Sequence, residues 1–147
     1  MLALLNGKRG FMFEGIFIIF TMLYTLVSVK VDEWITISAL GFKSATPMMF
    51  MQNPKIYDFV RSILFFGALA VSFMTPDMPW ITGVIILVIV WLAAGSIGRK
   101  KAFSVYRRIL REMMATADTD SERVKYKEYS QKTDQELADM VETSMKY

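Results

Sequence analysis

Cysteine and histidine are both absent from this 147-residue sequence. Without thiols and imidazoles, the chain has no disulfides, no cysteine nucleophile, no histidine acid/base and none of the usual ligands of zinc, haem or iron–sulfur clusters. A glycine-rich phosphate loop, a nucleophile elbow and an H-E-x-x-H motif are also missing. The sequence therefore predicts a protein that is not an enzyme and has no catalytic or cofactor-binding residues.

Charge is scarce as well. Only 21% of residues are charged, whereas 54% are hydrophobic and 14% are aromatic. The apolar residues collect into three blocks, at about 11–29, 57–75 and 80–98. Such blocks are typical of membrane-spanning helices, which need about 20 residues to cross a hydrocarbon core of roughly 30 Å. The composition predicts an all-α integral membrane protein with three transmembrane helices, the first retained rather than cleaved as a signal peptide.

A turn joins the last two blocks. Residues 75–79 read Thr-Pro-Asp-Met-Pro, and the two prolines prevent a helix from continuing. This predicts an antiparallel hairpin in which Trp80 lies at the interfacial depth that indoles favour. The second span reaches back through Asp58 and Arg61, which can form an ion pair at i,i+3 spacing.

Residues 34–51 are the ambiguous part of the topology. The segment is long enough to span, but Lys43 at its centre costs about 2.5–3.5 kcal/mol on insertion. We expect it to lie in the interface or to be re-entrant; as a fourth span it would need Lys43 paired with an acid such as Glu14. If the C-terminal tail is inside, three spans place the N-terminus outside with Lys8 and Arg9. Four spans place the N-terminus and these two residues inside.

A basic cluster follows the third span. These residues, with Trp80, are predicted to anchor the protein at the membrane interface and to contact anionic lipid headgroups rather than nucleic acid: Arg99, Lys100, Lys101, Arg107, Arg108 and Arg111. The positive-inside rule then puts the C-terminal tail in the cytoplasm. The predicted division is a transmembrane domain, residues 1–98, and a cytoplasmic helical tail, residues 99–147, in a prokaryotic inner membrane.

The tail carries helical signals of its own. Apolar residues recur at helical spacing from Phe103 to Met114, which predicts an amphipathic helix. This helix either continues the third span into the cytoplasm or bends to lie along the anionic inner leaflet. Two S/T-x-x-E capping boxes predict further helices near 120–131 and 134–146. The last has a small apolar stripe at Leu137, Met140 and Val141. Because this stripe is too small to support a domain, we expect the tail to dock on a partner or to be loosely ordered.

Three charges lie within or near the predicted spans: Glu14, Lys43 and Arg61. They could carry protons or line an ion path, but headgroup contacts or structural pairs are the favoured interpretation. The acidic pair Asp32 and Glu33 is most simply a solvated boundary.

Methionines and small residues form two further patterns. Met48, Met49 and Met51 offer soft thioether ligands for Cu(I), although ordinary membrane packing explains them more simply. Small residues that allow close helix packing, either within the hairpin or against another subunit, are Gly67, Ala68, Ser72, Ala94 and Gly98.

The function that fits these patterns is packing rather than catalysis. We expect an accessory or structural subunit of a larger membrane complex, whose partners are other integral membrane subunits. The first alternative is a homo-oligomeric pore or lysis-type channel lined by Glu14 or Lys43. The second is a copper-handling membrane subunit that uses the methionine cluster.

Overall fold

The computed structural model describes residues 2–76 and 78–146, and these residues are almost entirely α-helical. Helices make up 88% of the described residues, and no β-strand occurs among them. In chain order the α-helices are α1 (Leu2–Ala39), α2 (Met48–Gln52), α3 (Pro54–Met74), α4 (Trp80–Thr116), α5 (Asp120–Ser130) and α6 (Asp134–Met145). The predicted all-α fold is confirmed. The side chains of Lys8 and Arg9, and Asp77 of the predicted turn, lie outside the described residues.

Helices α1, α3 and α4 are long and apolar enough to cross a membrane. Within the described residues the candidate spans are Gly10–Ala39, Pro54–Met74 and Trp80–Thr116. Helix α1 has 38 residues and is longer than predicted. Helix α4 has 37 residues, because the third apolar block continues without a break into the amphipathic segment, which is one of the two predicted alternatives. At 1.5 Å per residue each is about 55 Å long, well beyond a hydrocarbon core of roughly 30 Å. No proline follows Val29 or Gly98 closely, so both helices continue past the apolar blocks.

Residues 34–51 form no single helix. Helix α1 ends in a Schellman motif, in which the Phe42 N–H donates to the Ile37 carbonyl at 3.2 Å and the Gly41 N–H donates to the Ser38 carbonyl at 3.1 Å. Gly41 has a φ of +95°, which glycine adopts without steric cost. A short 3₁₀ helix (Lys43–Ala45) and the five-residue α2 follow. The segment therefore contains no continuous helix that could act as a fourth span.

The chain divides into two compact units, and the first consists of Met1–Val31 and Asn53–Ser96. In this unit α3 and α4 form a hairpin. A Cβ on Gly83 would lie 2.5 Å from the Cβ of Ser72, and Ala68 shares a buried cluster with Leu87. The neighbour of Ser72 is Gly83, and the neighbour of Ala68, four residues earlier on α3, is Leu87, four residues later on α4. The two helices are therefore antiparallel. The predicted hairpin is confirmed.

Helix α1 packs on α3 in the same unit, and this pair is antiparallel too. A Cβ on Gly67 would lie 2.5 Å from the Phe20 ring. The ring centroids of Tyr24 and Phe65 are 5.5 Å apart, and Phe17 is buried in the cluster that contains Ala68. As the residue number rises along α1, its neighbour on α3 falls. The first unit is thus a bundle in which α1 and α4 run in the same direction.

The second unit consists of Asp32–Gln52 and Ile97–Tyr147. It contains the last turns of α1, the irregular segment with α2, the second half of α4, and helices α5 and α6. Its core is a cluster of buried side chains from α4 and α6: Phe103, Tyr106, Leu110, Leu137 and Val141. Phe42 covers this core, with its ring 5.4 Å from that of Tyr106 in an edge-on arrangement. Phe42, which follows the end of α1, therefore packs against residues of the C-terminal tail.

Of the two predicted capping boxes, the one at α6 is complete and the one at α5 is formed in part. Thr119 caps α5, because its hydroxyl accepts the N–H of Glu122 at 3.3 Å. At α6 the capping box is complete: Thr133 accepts from the Glu136 N–H at 3.3 Å, and its own N–H donates to Glu136 Oε2 at 2.7 Å. The hydrogen bond from the Thr133 backbone, followed by that from its hydroxyl, lowers the pKa of Glu136 below its usual value.

Candidate functional site

Glu14 stands on the outward face of α1. Its neighbours on that face are Phe11, three residues before it, and Ile18, four residues after it. Phe11 is 80% exposed and Ile18 is 56% exposed, and the Glu14 side chain is exposed as well. The first unit therefore presents a carboxylate between apolar side chains on a surface that the described residues do not cover.

The other two charges singled out in the sequence have different surroundings. Lys43 is exposed at the start of the 3₁₀ helix, in the second unit. In the first unit, Arg61 Nη2 donates to Asp58 Oδ1 at 3.0 Å. The predicted i,i+3 ion pair on α3 is confirmed, and both of its partners lie within the first eight residues of that helix.

The basic cluster does not act as one surface. Arg108 and Arg111 are exposed, as are the first three basic residues of the cluster, Arg99, Lys100 and Lys101. Arg107 is half-buried, and its Nη2 donates to Asp134 Oδ1 at 2.6 Å and to the Lys132 carbonyl at 2.9 Å. Successive residues on a helix point about 100° apart, so Arg107 faces the tail whereas Arg108 does not.

We expect Arg107→Gln to weaken the attachment of α6 to α4, because it removes a charge-assisted hydrogen bond and leaves the Lys132 carbonyl without its donor. The expected cost is about 1–2 kcal/mol, at the lower end of the range for bonds to charged groups because the site is partly exposed. Hydrogen exchange of α6 amides in the purified protein would measure this cost. Arg108→Gln, the matched control, should leave α6 protection unchanged, and equal effects of the two substitutions would contradict the assignment.

The tail packs on its own chain. Leu137 is completely buried and Val141 nearly so, against Phe103 and Tyr106 of α4. The premise that this stripe cannot be buried without a partner is wrong, whereas docking of the tail on a partner stays a prediction. The stripe is small, but the apolar face of α4 supplies the other half of the core. Met140 is half-buried at the edge of the same cluster.

The methionine cluster does not converge on one point. Met48, Met49 and Met51 are all exposed on the five-residue α2. Met48 and Met51 share a face at i,i+3 spacing, whereas Met49 points about 100° away from Met48. Copper binding by these residues stays a prediction, in which Met48 and Met51 form the better-placed pair of thioethers.

The small residues are packed inside the chain. Ala68, Ser72 and Ala94 have no exposed surface, and Gly98 is buried as well. Gly67 lies under the Phe20 ring. The sequence left open whether these residues pack within the hairpin or against another subunit. For Gly67, Ala68 and Ser72 the contacts are within the first unit, so these positions are occupied before any partner arrives.

Two features of α1 were missed in the sequence. Glu33 is only 8% exposed, so its interpretation as part of a solvated boundary is wrong. The reason is that α1 continues past it, and Val29, Glu33 and Ile37 lie on one buried helical face at spacings of four. The end of α1 was also missed. Glycine after an apolar helical run, followed by an apolar residue, is the C-terminal signal that Gly41 and Phe42 provide.

No metal site of the common kind is found: the described residues contain no group of three or more acidic, histidine or cysteine side chains that could hold a metal ion. The geometry on which a function can rest is therefore the exposed apolar surface around Glu14 and the exposed basic residues of α4. Comparisons with protein-family models, with curated proteins and with solved structures gave no match.

Proposed function

We propose that the protein is an integral membrane protein that serves as a non-catalytic accessory or structural subunit of a larger membrane complex. Its three long helices would span the membrane, and its C-terminal tail would lie in the cytoplasm of a prokaryotic cell. Partner helices would pack on the outward face of α1 around Glu14. This carboxylate is the observation that carries the proposal.

The environment of Glu14 favours a protein partner over lipid. Ionisable residues in membrane helices almost always face a bundle interior or a water-filled cavity, because hydrocarbon cannot solvate a charge. Here the carboxylate points away from the rest of its own unit, between Phe11 and Ile18. Helices of another chain could supply a donor and cover the surrounding apolar side chains.

The limited burial of the spans supports the same interpretation. In the most apolar stretches, 22% of residues in α1, 11% in α3 and 22% in α4 are buried by the described chain. Most residues in these stretches therefore keep surface that lipid or other helices can contact. Since Gly67 and Ser72 are already used within the chain, partner contacts would involve large exposed side chains such as Ile18 and Met22.

The exposed basic residues support the proposed orientation. Arg99, Lys100 and Lys101 follow the apolar part of α4 and are all exposed. Lysine and arginine next to a span favour the cytoplasmic side, and each contributes about 1 kcal/mol of attraction to an anionic leaflet. Under this orientation the second unit is cytoplasmic.

We expect the protein, extracted in mild detergent from its native membrane, to be released with different and larger membrane proteins in native mass spectrometry. Glu14→Gln should lower the co-released fraction about tenfold, the effect of losing a polar contact between helices of about 1–2 kcal/mol. Glu128→Gln on exposed α5 is the matched control and should have no effect. A lone wild-type monomer would overturn the proposal.

A homo-oligomeric pore is the second candidate, because identical chains arranged around Glu14 would place its carboxylate in a lumen. Clusters of identical chains in the same experiment would favour it. Ion flux through liposomes containing the purified protein, reduced by Glu14→Gln, would then be the expected result. Equal absence of flux from the wild type and the variant would exclude this candidate.

A further inference from the structure

An open cleft of about 360 Å³ lies within the first unit, and its lining comes from all three long helices. The lining residues are Tyr24, Arg61, Ser62, Phe65, Phe66 and Trp91. The volume is in the range of small-molecule sites, which start at about 300 Å³. Five of its six lining side chains are aromatic or charged, so the cleft can make ring contacts and electrostatic contacts with a ligand.

Polar and apolar groups are separated along the cleft. Arg61 and Ser62 lie one turn before Phe65 and Phe66 on α3, so the polar side chains are at the end nearer the start of that helix. The aromatic wall is well defined: the Phe65 and Phe66 rings are 5.7 Å apart and nearly perpendicular, and Tyr24 packs on Phe65. A ligand that matches this order has a polar head and an apolar chain.

Arg61 is a cationic side chain at the polar end of the cleft, and it favours a ligand with an anionic head. Arg61 Nη2 donates to Asp58 Oδ1 at 3.0 Å, and 27% of the Arg61 side chain is exposed, so a ligand can reach it. A guanidinium has five N–H donors, which bind phosphate oxygens well. The Ser62 hydroxyl donates to the Asp58 carbonyl at 2.8 Å and can still accept from a ligand hydroxyl.

We propose that this cleft binds one anionic phospholipid, with its phosphate at Arg61 and an acyl chain along Phe66 and Trp91. The inference rests on the membrane location proposed above. Because α3 and α4 are antiparallel, the start of α3 is level with the end of the apolar part of α4. The lipid would therefore belong to the leaflet on the side of the basic cluster, the proposed cytoplasmic leaflet.

Trp91 allows the test, because it lines the cleft and its fluorescence is quenched by brominated acyl chains. The full-length protein with Trp34→Phe and Trp80→Phe would be placed in phosphatidylcholine nanodiscs that contain a minor fraction of brominated lipid. We expect brominated phosphatidylglycerol to quench Trp91 with about fivefold higher apparent affinity than brominated phosphatidylcholine, as about 1 kcal/mol of charge attraction gives. A protein that keeps only Trp80 should show no such preference.

Two substitutions should move the preference in opposite directions. Arg61→Gln should abolish it, and Asp58→Asn, which removes the competing carboxylate, should increase it. Lys125→Gln on exposed α5 removes the same charge elsewhere and should leave it unchanged. Opposite effects of Arg61→Gln and Asp58→Asn cannot come from unfolding, which would reduce the preference in both variants.

Equal quenching by the two lipids in the wild type, or a preference that survives Arg61→Gln, would overturn the lipid site. Loss of the preference at a glycerol 3-phosphate concentration equal to that of the brominated lipid would also overturn it, because an acyl chain bound along Phe66 and Trp91 should make the lipid the stronger competitor. A protein that fails to enter nanodiscs would instead contradict the proposed membrane location. The two failures are thus distinguishable.

Discussion

Gly83→Ala is expected to destabilise the first unit by about 2 kcal/mol, whereas the same substitution at Gly15 should be neutral or stabilising. A Cβ at position 83 would lie 2.5 Å from the Cβ and 2.8 Å from the Oγ of Ser72. The Ser72 Cβ is bonded directly to the backbone, so relief requires α3 and α4 to move apart, and overpacking of this kind costs about 1–3 kcal/mol. Nothing lies within 4 Å of a Cβ at Gly15, where alanine gains up to about 1 kcal/mol of helix propensity.

Gly67→Ala tests whether the free-energy cost depends on how easily the neighbouring atom can move. Its Cβ would also come within 2.5 Å of another atom, but that atom belongs to the Phe20 ring, which can rotate about its side-chain torsions. We expect a cost smaller than at Gly83. Unfolding of the purified protein in mixed detergent, followed by circular dichroism, gives the three free energies. If Gly83→Ala is as harmless as Gly15→Ala, α3 and α4 do not approach each other as closely as described.

Leu137→Asp is expected to release α6 from α4. Leu137 has no exposed surface and packs among Phe103, Tyr106 and Leu110. Truncating a buried leucine alone costs about 2–5 kcal/mol, and a buried unpaired carboxylate adds to that cost. A loss of about 3 kcal/mol raises amide exchange in α6 by roughly 150-fold, because exchange there follows the local opening equilibrium.

The control for this substitution is Val124→Asp, which introduces the same charge at an exposed apolar position of α5. It should leave exchange in α6 unchanged. The experiment also separates the two descriptions of the tail. If the isolated full-length chain shows rapid exchange in α6 before any substitution, the helix needs a partner, as its small apolar stripe suggested. Strong protection that Leu137→Asp removes means that α4 supplies the packing surface.

The packing of small residues changes how a partner would be recognised. Gly67, Ala68 and Ser72 suggest a helix–helix interface in the sequence, and they do form one, but within the chain. Under the proposed function a partner would therefore recognise larger side chains, and the Glu14 carboxylate on the outward face of α1 would direct it. Specificity would then come from the Glu14 carboxylate and a donor on the partner helix rather than from close backbone approach.

Several features were determined by the sequence because their signals lie within one or two turns of the chain. The apolar lengths predicted three span-capable helices, the two prolines near Asp77 predicted the hairpin, and S/T-x-x-E spacing placed the starts of α5 and α6. The pair of Asp58 and Arg61 also followed from i,i+3 spacing. In each case the interacting groups are close in sequence, so local geometry is sufficient.

Other features were decided only by tertiary structure. Arg107 and Arg108 are adjacent and chemically identical, yet only Arg107 binds Asp134, 27 residues away. Leu137 and Val141 are buried because the apolar face of α4 reaches them, and Gly67 and Ser72 face their own chain because α1 and α4 cover them. Helical periodicity indicates which residues share a face. It does not indicate what that face meets, because the free energy of burial depends on surfaces that only the folded chain brings together.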